Sequence, residues 1–202
     1  MADGRRHKRP FLLRCVAPAP IAWLILALAG ASGCATAPPK GWQQGGAQLV
    51  IPRARWFNGD ALVDVDPEGR VALNGRHVLN IDRAGRAYDP YDAPVALLGD
   101  DGHLLGPDDE PMGWVGAGEA ILPGGEEPWV TLMPSGEVVQ YTEDGDPVPF
   151  GLWVGCHQIP HTVQACTLVS HLVGIHIREM RARRRGGVSV GVGFGVGVGF
   201  GP

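Results

Sequence analysis

The sequence predicts a mainly β protein: an antiparallel meander of repeated hairpins followed by one C-terminal helix and a Gly/Val-rich tail. The chain has 31 glycines and 18 prolines among 202 residues, about twice their ordinary usage, which argues against a bundle of long helices. Turn-forming sequences recur about every 17 residues. Between them, apolar residues alternate with polar ones in short runs, the period-two pattern of half-buried strands.

The predicted hairpin turns are marked by glycines at a nearly constant spacing. Residues 66–69 and 82–85 each begin with Asp and end with Gly. Asp at the first position of a turn bonds back to the backbone, and Gly at the last position tolerates a positive φ. The glycines that share this period are Gly69, Gly85, Gly102, Gly118 and Gly136.

A second landmark, proline at the start of an apolar run, keeps the same period. Proline lacks a backbone N–H and is tolerated as the first residue of a strand. The agreement of two landmarks favours an internal repeat of about ten short strands, each paired with its sequence neighbour. A rolled barrel, an open sheet and a propeller-like arrangement all fit this pattern. The prolines are Pro94, Pro111, Pro128 and Pro147.

The repeat loosely resembles other short bacterial β-hairpin repeats, such as cell-wall-binding repeats. The paired aromatic residues of that class are missing from this sequence. The resemblance therefore implies neither a ligand nor a residue role.

The N-terminus has the order of an export signal. Basic residues precede an apolar stretch, and no further charge occurs between Arg14 and Lys40. The densest apolar part, residues 21–30, is too short for a membrane-spanning helix, which needs about 20 apolar residues, and suits the core of a signal peptide. Small residues at positions 31–33 then stand directly before Cys34.

In these features residues 1–35 resemble bacterial lipoprotein precursors, although Ala31 stands where that class usually has leucine. In that class the signal is cut before the cysteine, whose thiol carries diacylglycerol. The resemblance implies a signal peptide over 1–33, a lipid on Cys34 and a membrane contact through that lipid. Ala35, which is not aspartate, implies a place in the outer membrane of the cell envelope by the rule for enteric-type lipoproteins.

The exported chain is predicted to have four parts. Residues 35–46 lack apolar periodicity and are rich in Pro, Gly and Gln, so the part over 34–58 is predicted to be a lipidated cysteine followed by a flexible tether. The repetitive β-hairpin domain is predicted over 59–155. A Cys/His segment and helix follow over 156–185, and a glycine-rich tail over 186–202.

Charge composition and missing motifs argue against two classes of function, nucleic-acid binding and catalysis. Residues 59–150 hold 19 Asp and Glu against four Arg, so the body lacks the basic stripe that binding to nucleic acid requires. The chain beyond Cys34 contains no His-Glu-x-x-His sequence, Ser189 lies in the glycine-rich tail, and Ser170 beside His171 has no distinguishing spacing. We therefore predict that the protein is not an enzyme.

The densest group of chemically reactive side chains spans residues 156–176. In an oxidising exported compartment, Cys156 and Cys166 predict a disulfide. The alternative is a zinc or copper site formed by Cys156, His161, Cys166 and His171, although this spacing matches no tight metal signature.

The C-terminal part predicts a helix and then an extended segment. Apolar residues at spacings of three and four, with arginines in the last turns, favour a helix from about Val163 to Arg185. Over 186–202, Val and Phe alternate with Gly or Ser. If extended, this tail presents one apolar face that can contact an envelope protein partner or a membrane, whereas its glycine content is also typical of disorder.

These patterns together predict a non-catalytic envelope lipoprotein that serves in surface display, binding or envelope structure. It needs no cofactor beyond the covalent lipid on Cys34. The alternative is a metal-handling lipoprotein that uses the cluster between Cys156 and His176.

The first testable prediction concerns Cys34. Mass spectrometry of the protein made in a diderm bacterium should show a mature chain that starts at a diacylated Cys34, because small residues precede it and a basic and then apolar segment lies upstream. An intact Met1, or an unmodified Cys34 in the mature chain, would contradict this assignment.

Overall fold

The computed structural model describes residues 36–156 and 160–185. Within these residues the chain forms twelve β-strands, a short 3-10 turn at Pro107–Asp109 and one α-helix. The predicted signal peptide, the lipidated Cys34 and the tail over 186–202 lie outside the described residues. The strands are β1 (Ala54–Asn58), β2 (Ala61–Val65), β3 (Arg70–Leu73), β4 (Arg76–Ile81), β5 (Arg86–Tyr88), β6 (Pro94–Leu98), β7 (His103–Leu105), β8 (Pro111–Val115), β9 (Glu119–Ile121), β10 (Pro128–Leu132), β11 (Glu137–Tyr141) and β12 (Pro147–Val154), and the helix is α1 (Pro160–Arg185).

The strands form one antiparallel meander that closes on itself. Each strand pairs with its neighbours in sequence, and β1 also pairs with β12, with Trp56 opposite Trp153. The predicted β-hairpin meander followed by a C-terminal helix is confirmed. Of the three arrangements that the sequence left open, the closed barrel is the one adopted.

The two landmarks of the repeat lie at opposite ends of the barrel. The five turn glycines lie in the connections that follow β2, β4, β6, β8 and β10, and alternate connections of a meander lie at the same end; we call this the glycine end. The four periodic prolines are the first residues of β6, β8, β10 and β12, as predicted. They lie at the other end, which we call the proline end.

Each glycine turn is tied to the next hairpin along the chain. The Oδ1 atom of Asp66 accepts bonds from the amides of Glu68 and Arg70 at 3.1 and 2.9 Å, which closes the turn. The carbonyl of Gly69 accepts a bond from the amide of Ile81 at 2.8 Å. Gly69 has a φ of +91°, and a Cβ atom there would lie 1.8 Å from the carbonyl oxygen of Ile81. The same lateral bond is made by the carbonyls of Gly85, Gly102, Gly118 and Gly136.

The predicted flexible tether over 34–58 is wrong where the structure describes it. Its last residues form β1, the strand that closes the barrel against β12. Further upstream, the Arg86 guanidinium donates to the backbone oxygens of Trp42 and Gln43 at 2.6 and 3.0 Å. The segment also has a buried apolar face, since Ala47, Leu49, Ile51, Ala54 and Trp56 all belong to the hydrophobic core. The prediction of a tether overlooked this alternation.

Helix α1 lies inside the barrel. Near its start, at the glycine end, the Gln164 side chain donates to the carbonyl of Val115 at 3.2 Å. Near its last turn, at the proline end, Arg181 donates to the carbonyl of Asn58 at 2.7 Å. Residues 165–171 are all buried, and because a helical turn has about 3.6 residues, every side of this stretch is covered. The sequence predicted that the helix begins at about Val163, whereas it begins at Pro160.

Substitution of Gly69 tests the close packing of successive hairpins. Gly69→Ala should lower the free energy of unfolding by about 1–2 kcal/mol for the left-handed backbone, with a further loss of about 1–3 kcal/mol because the methyl group collides with Ile81. Gly145→Ala is the matched control, since Gly145 has a φ of +81° and open space around it. Urea unfolding followed by tryptophan fluorescence measures both. Equal losses in the two variants would mean that only backbone conformation matters at Gly69.

Candidate functional site

Two tryptophans of the barrel wall hold the helix through their ring N–H groups. The Nε1–H of Trp129 donates to Nδ1 of His171, and the Nε1–H of Trp153 donates to Oγ of Ser170, both at 2.8 Å. Gly174, one turn further along α1, gives the rings room, since a Cβ atom there would lie 3.1 Å from the Trp129 ring. Ser170 and His171 thus position the helix in the barrel, and the structure does not assemble them as a catalytic pair.

His171 is neutral and fully engaged. It is completely buried, and its Nδ1 atom accepts a hydrogen bond, so the ring proton lies on Nε2. That nitrogen donates to the carbonyl of Met112 at 2.9 Å. Burial lowers the pKa of His171 from 6.5 to about 4, and the bond to Met112 only partly opposes this. Neither ring nitrogen is left to bind a metal.

The two predicted disulfide partners meet at the glycine end. Cys156 and Cys166 are joined at disulfide distance, which links the segment after β12 to the second turn of α1. The alternative metal site is not assembled, because the two sulfurs are bonded to each other, His171 is engaged, and His161 is exposed. Among the residues that the structure describes, no three His, Cys, Asp or Glu side chains are placed to hold a metal ion.

Helix α1 leaves part of the barrel interior open. A cavity of about 1070 Å³ lies between the helix and the wall at the proline end. This volume lies slightly above the usual range for small-molecule sites, about 300–1,000 Å³. Four of its apolar lining residues, Val95, Leu122, Leu172 and Ile175, remain only half-buried. Deeper lining comes from the buried side chains of Leu79, Met112 and Trp129.

The mouth of the cavity is acidic. Arg178 is the one guanidinium among its described lining residues, and its Cζ atom lies 6.0 Å from the centre of the Trp129 ring. His176 also lines the cavity; partial burial lowers its pKa, which Glu179 opposes and Arg183 reinforces, so the ring is uncharged at neutral pH. The carboxylates of the mouth are exposed and belong to Glu126 and Glu127 after β9, Glu143 after β11 and Glu179 on α1.

The sequence analysis missed both the tryptophan anchors and the cavity. The anchors had a usable signal, because a buried tryptophan needs a partner for its ring N–H, and Trp129 and Trp153 lie within predicted strands. The cavity had no local signal. Its walls come from β4, β6, β8, β10 and β11, which closure of the barrel alone brings around one space.

Comparisons with protein-family models, with curated proteins and with solved structures found no match to this chain. The site is therefore interpreted from its own geometry. Within the described part of the chain, no helix has both the length and the apolar composition needed to cross a membrane.

The buried His171 predicts a loss of stability in acid. Because its pKa is about 4 in the folded protein and 6.5 as a free group, the unfolded chain takes up a proton in this window that the folded chain excludes. Stability should therefore fall as the pH decreases from 6.5 to 4, with about 3 kcal/mol of the loss due to His171. Urea unfolding at several pH values measures it.

The contribution of His171 is isolated with His171→Gln, which keeps a donor and an acceptor but does not titrate. This variant should be less stable at pH 7 and should lose less stability than the wild type between pH 6.5 and 4. His161→Gln, which removes an exposed histidine of the same helix, should retain the wild-type dependence. A His171→Gln curve parallel to that of the wild type would contradict the assignment.

Proposed function

We propose that this protein is a lipid-anchored, non-catalytic module of the bacterial cell envelope that binds an apolar small molecule in the barrel cavity. The observation that carries the proposal is the cavity itself, about 1070 Å³ in volume. Its apolar walls include side chains that are only half-buried. Covering them with a ligand is favourable by about 25 cal/mol for each Å² of apolar surface removed from water.

The docked N-terminal segment supports a site close to the membrane. Ala37 exchanges two hydrogen bonds with Asp108, each of 2.9 Å. Asp108 lies between β7 and β8, at the proline end, where the cavity opens. Cys34 is three residues before Ala37 in sequence, and three extended residues span at most about 11 Å. A lipid on Cys34 would thus keep the proline end near the bilayer, where apolar molecules concentrate.

The tail over 186–202 provides the second proposed contact, with an envelope protein. It follows α1, which ends at the proline end. Its alternation of Val or Phe with Gly presents one apolar face if the segment is extended. This part of the proposal rests on the sequence alone.

The binding proposal is tested with a neutral apolar dye, N-phenyl-1-naphthylamine, whose fluorescence rises in apolar surroundings. The protein carries Cys34→Ala, which removes the lipid and the need for detergent. We expect saturable binding to the wild-type barrel. Ile175→Trp places a larger side chain in the cavity and should weaken binding at least tenfold.

The matched control is Leu152→Trp, because Leu152 is 45% exposed and does not line the cavity. It should bind the dye as the wild-type barrel does. Equal binding by the Ile175→Trp and wild-type barrels would place the dye elsewhere, and a lack of saturable binding by the wild type would overturn the proposed function.

A further inference from the structure

We infer that the ligand of the barrel cavity is an amphiphile with an apolar body and a cationic group. The inference rests on the proposed function and specifies its ligand class. Its basis is the contrast between the apolar walls deep in the cavity and the carboxylates at its mouth. A molecule that fills such a site would bury its apolar part and leave its charged group among the acidic residues.

The charges that line the mouth favour a cation. Four carboxylates face one guanidinium among the described lining residues, and His176 is uncharged at neutral pH. The C-terminal end of α1 also lies at this end of the barrel, and the C-terminal end of a helix carries a partial negative charge. These groups are exposed, so we expect their effect to weaken as salt is added.

The aromatic ring of Trp129, in the deeper lining of the cavity, provides a second contact for a cation. Trp129 has its Nε1–H bonded to His171 inside the barrel, while its ring also lines the cavity. A guanidinium of the chain, that of Arg178, already lies 6.0 Å from the ring centre. Such a position over an indole face stabilises a cation by about 0.5–2 kcal/mol, so the ring can hold either Arg178 or the cationic group of a ligand.

The arginines at the end of α1 are positive charges that would oppose the binding of a cation. Arg181 is directed away from the cavity, since it donates to the carbonyl of Asn58 and, at 3.2 Å, to the carboxylate of Asp60. Arg183 is exposed and does not line the cavity. The four carboxylates line the cavity and these two arginines do not, so the lining itself favours a cation, although the charge of Arg183 also acts on His176.

The experiment compares three ligands that share one alkyl chain and differ in charge: dodecylamine, dodecanol and dodecanoate. Each is titrated, below its micellar concentration, against the Cys34→Ala protein loaded with N-phenyl-1-naphthylamine. At pH 7 and low salt we expect dodecylamine to displace the dye at a concentration at least tenfold lower than dodecanoate. Dodecanol should lie between them.

Two four-site variants locate the source of the preference. The mouth variant carries Glu126→Gln, Glu127→Gln, Glu143→Gln and Glu179→Gln. The control variant carries Glu68→Gln, Asp100→Asn, Glu119→Gln and Glu137→Gln, which remove the same charge from exposed positions at the glycine end. The preference for dodecylamine should fall below threefold in the mouth variant and persist in the control.

The outcomes separate the two proposals. Displacement of the dye at the same concentration by all three ligands would overturn the cationic ligand class and leave the apolar site standing. The same holds if the preference for dodecylamine falls equally in the mouth variant and in the control variant. Tighter binding of dodecanoate would also overturn it, and would indicate that the arginines at the end of α1 dominate. Failure of the dye and all three ligands to bind would overturn the proposed function itself, and would be expected if the apolar tail over 186–202 filled the cavity.

Discussion

A sheet of twelve strands, closed into a barrel, encloses more space than its own side chains can fill, and the rest of this structure depends on how that space is occupied. Barrels of about eight strands are filled by their inward-facing side chains, and much larger ones keep open channels. Here helix α1 supplies the missing core, with residues 165–171 buried on every side. Its position is set by hydrogen bonds from Trp129 and Trp153, because an indole N–H buried without a partner would cost free energy.

The cavity is a consequence of the same packing. The tryptophans of β10 and β12 hold the middle of α1, and the Cys156–Cys166 bond fixes its early turns. Towards the proline end Leu172 and Ile175 line the cavity, and their side chains stay half-buried although they pack against the core. The space that could take a ligand therefore lies beside a helix that is held by Trp129, itself part of the cavity lining, and by Trp153. A rigid scaffold of this kind keeps an apolar site open when no ligand is bound.

Much of the fold could be predicted from local patterns. The hairpins and their period could be predicted, because each hairpin turn depends on a few adjacent residues. Asp66 and Gly69 show the turn chemistry, and prolines mark the strand starts. The closure of the barrel was not predicted, because the alternating buried residues of β1 were assigned to a tether and because the pairing of β1 with β12 joins parts of the chain that are distant in sequence. For the site, the cysteine pair predicted from its chemistry is found at disulfide distance, whereas His171, predicted as an alternative metal ligand, is instead a buried partner of Trp129. The carboxylates could not be placed at a common mouth, because their proximity depends on the tertiary fold.

The pairing of β1 with β12, which closes the barrel, limits the order in which the protein can fold. Arg55 pairs with Val154, so the first strand has no partner on one side until the last strand has been made. The helix that fills the interior is later still in the chain. Every hairpin between them can form locally, yet the complete core requires contacts between distant parts of the sequence, which form slowly. Until then two strand edges remain open to pairing with other chains. The nascent protein is thus most exposed to aggregation just before its final helix is synthesised.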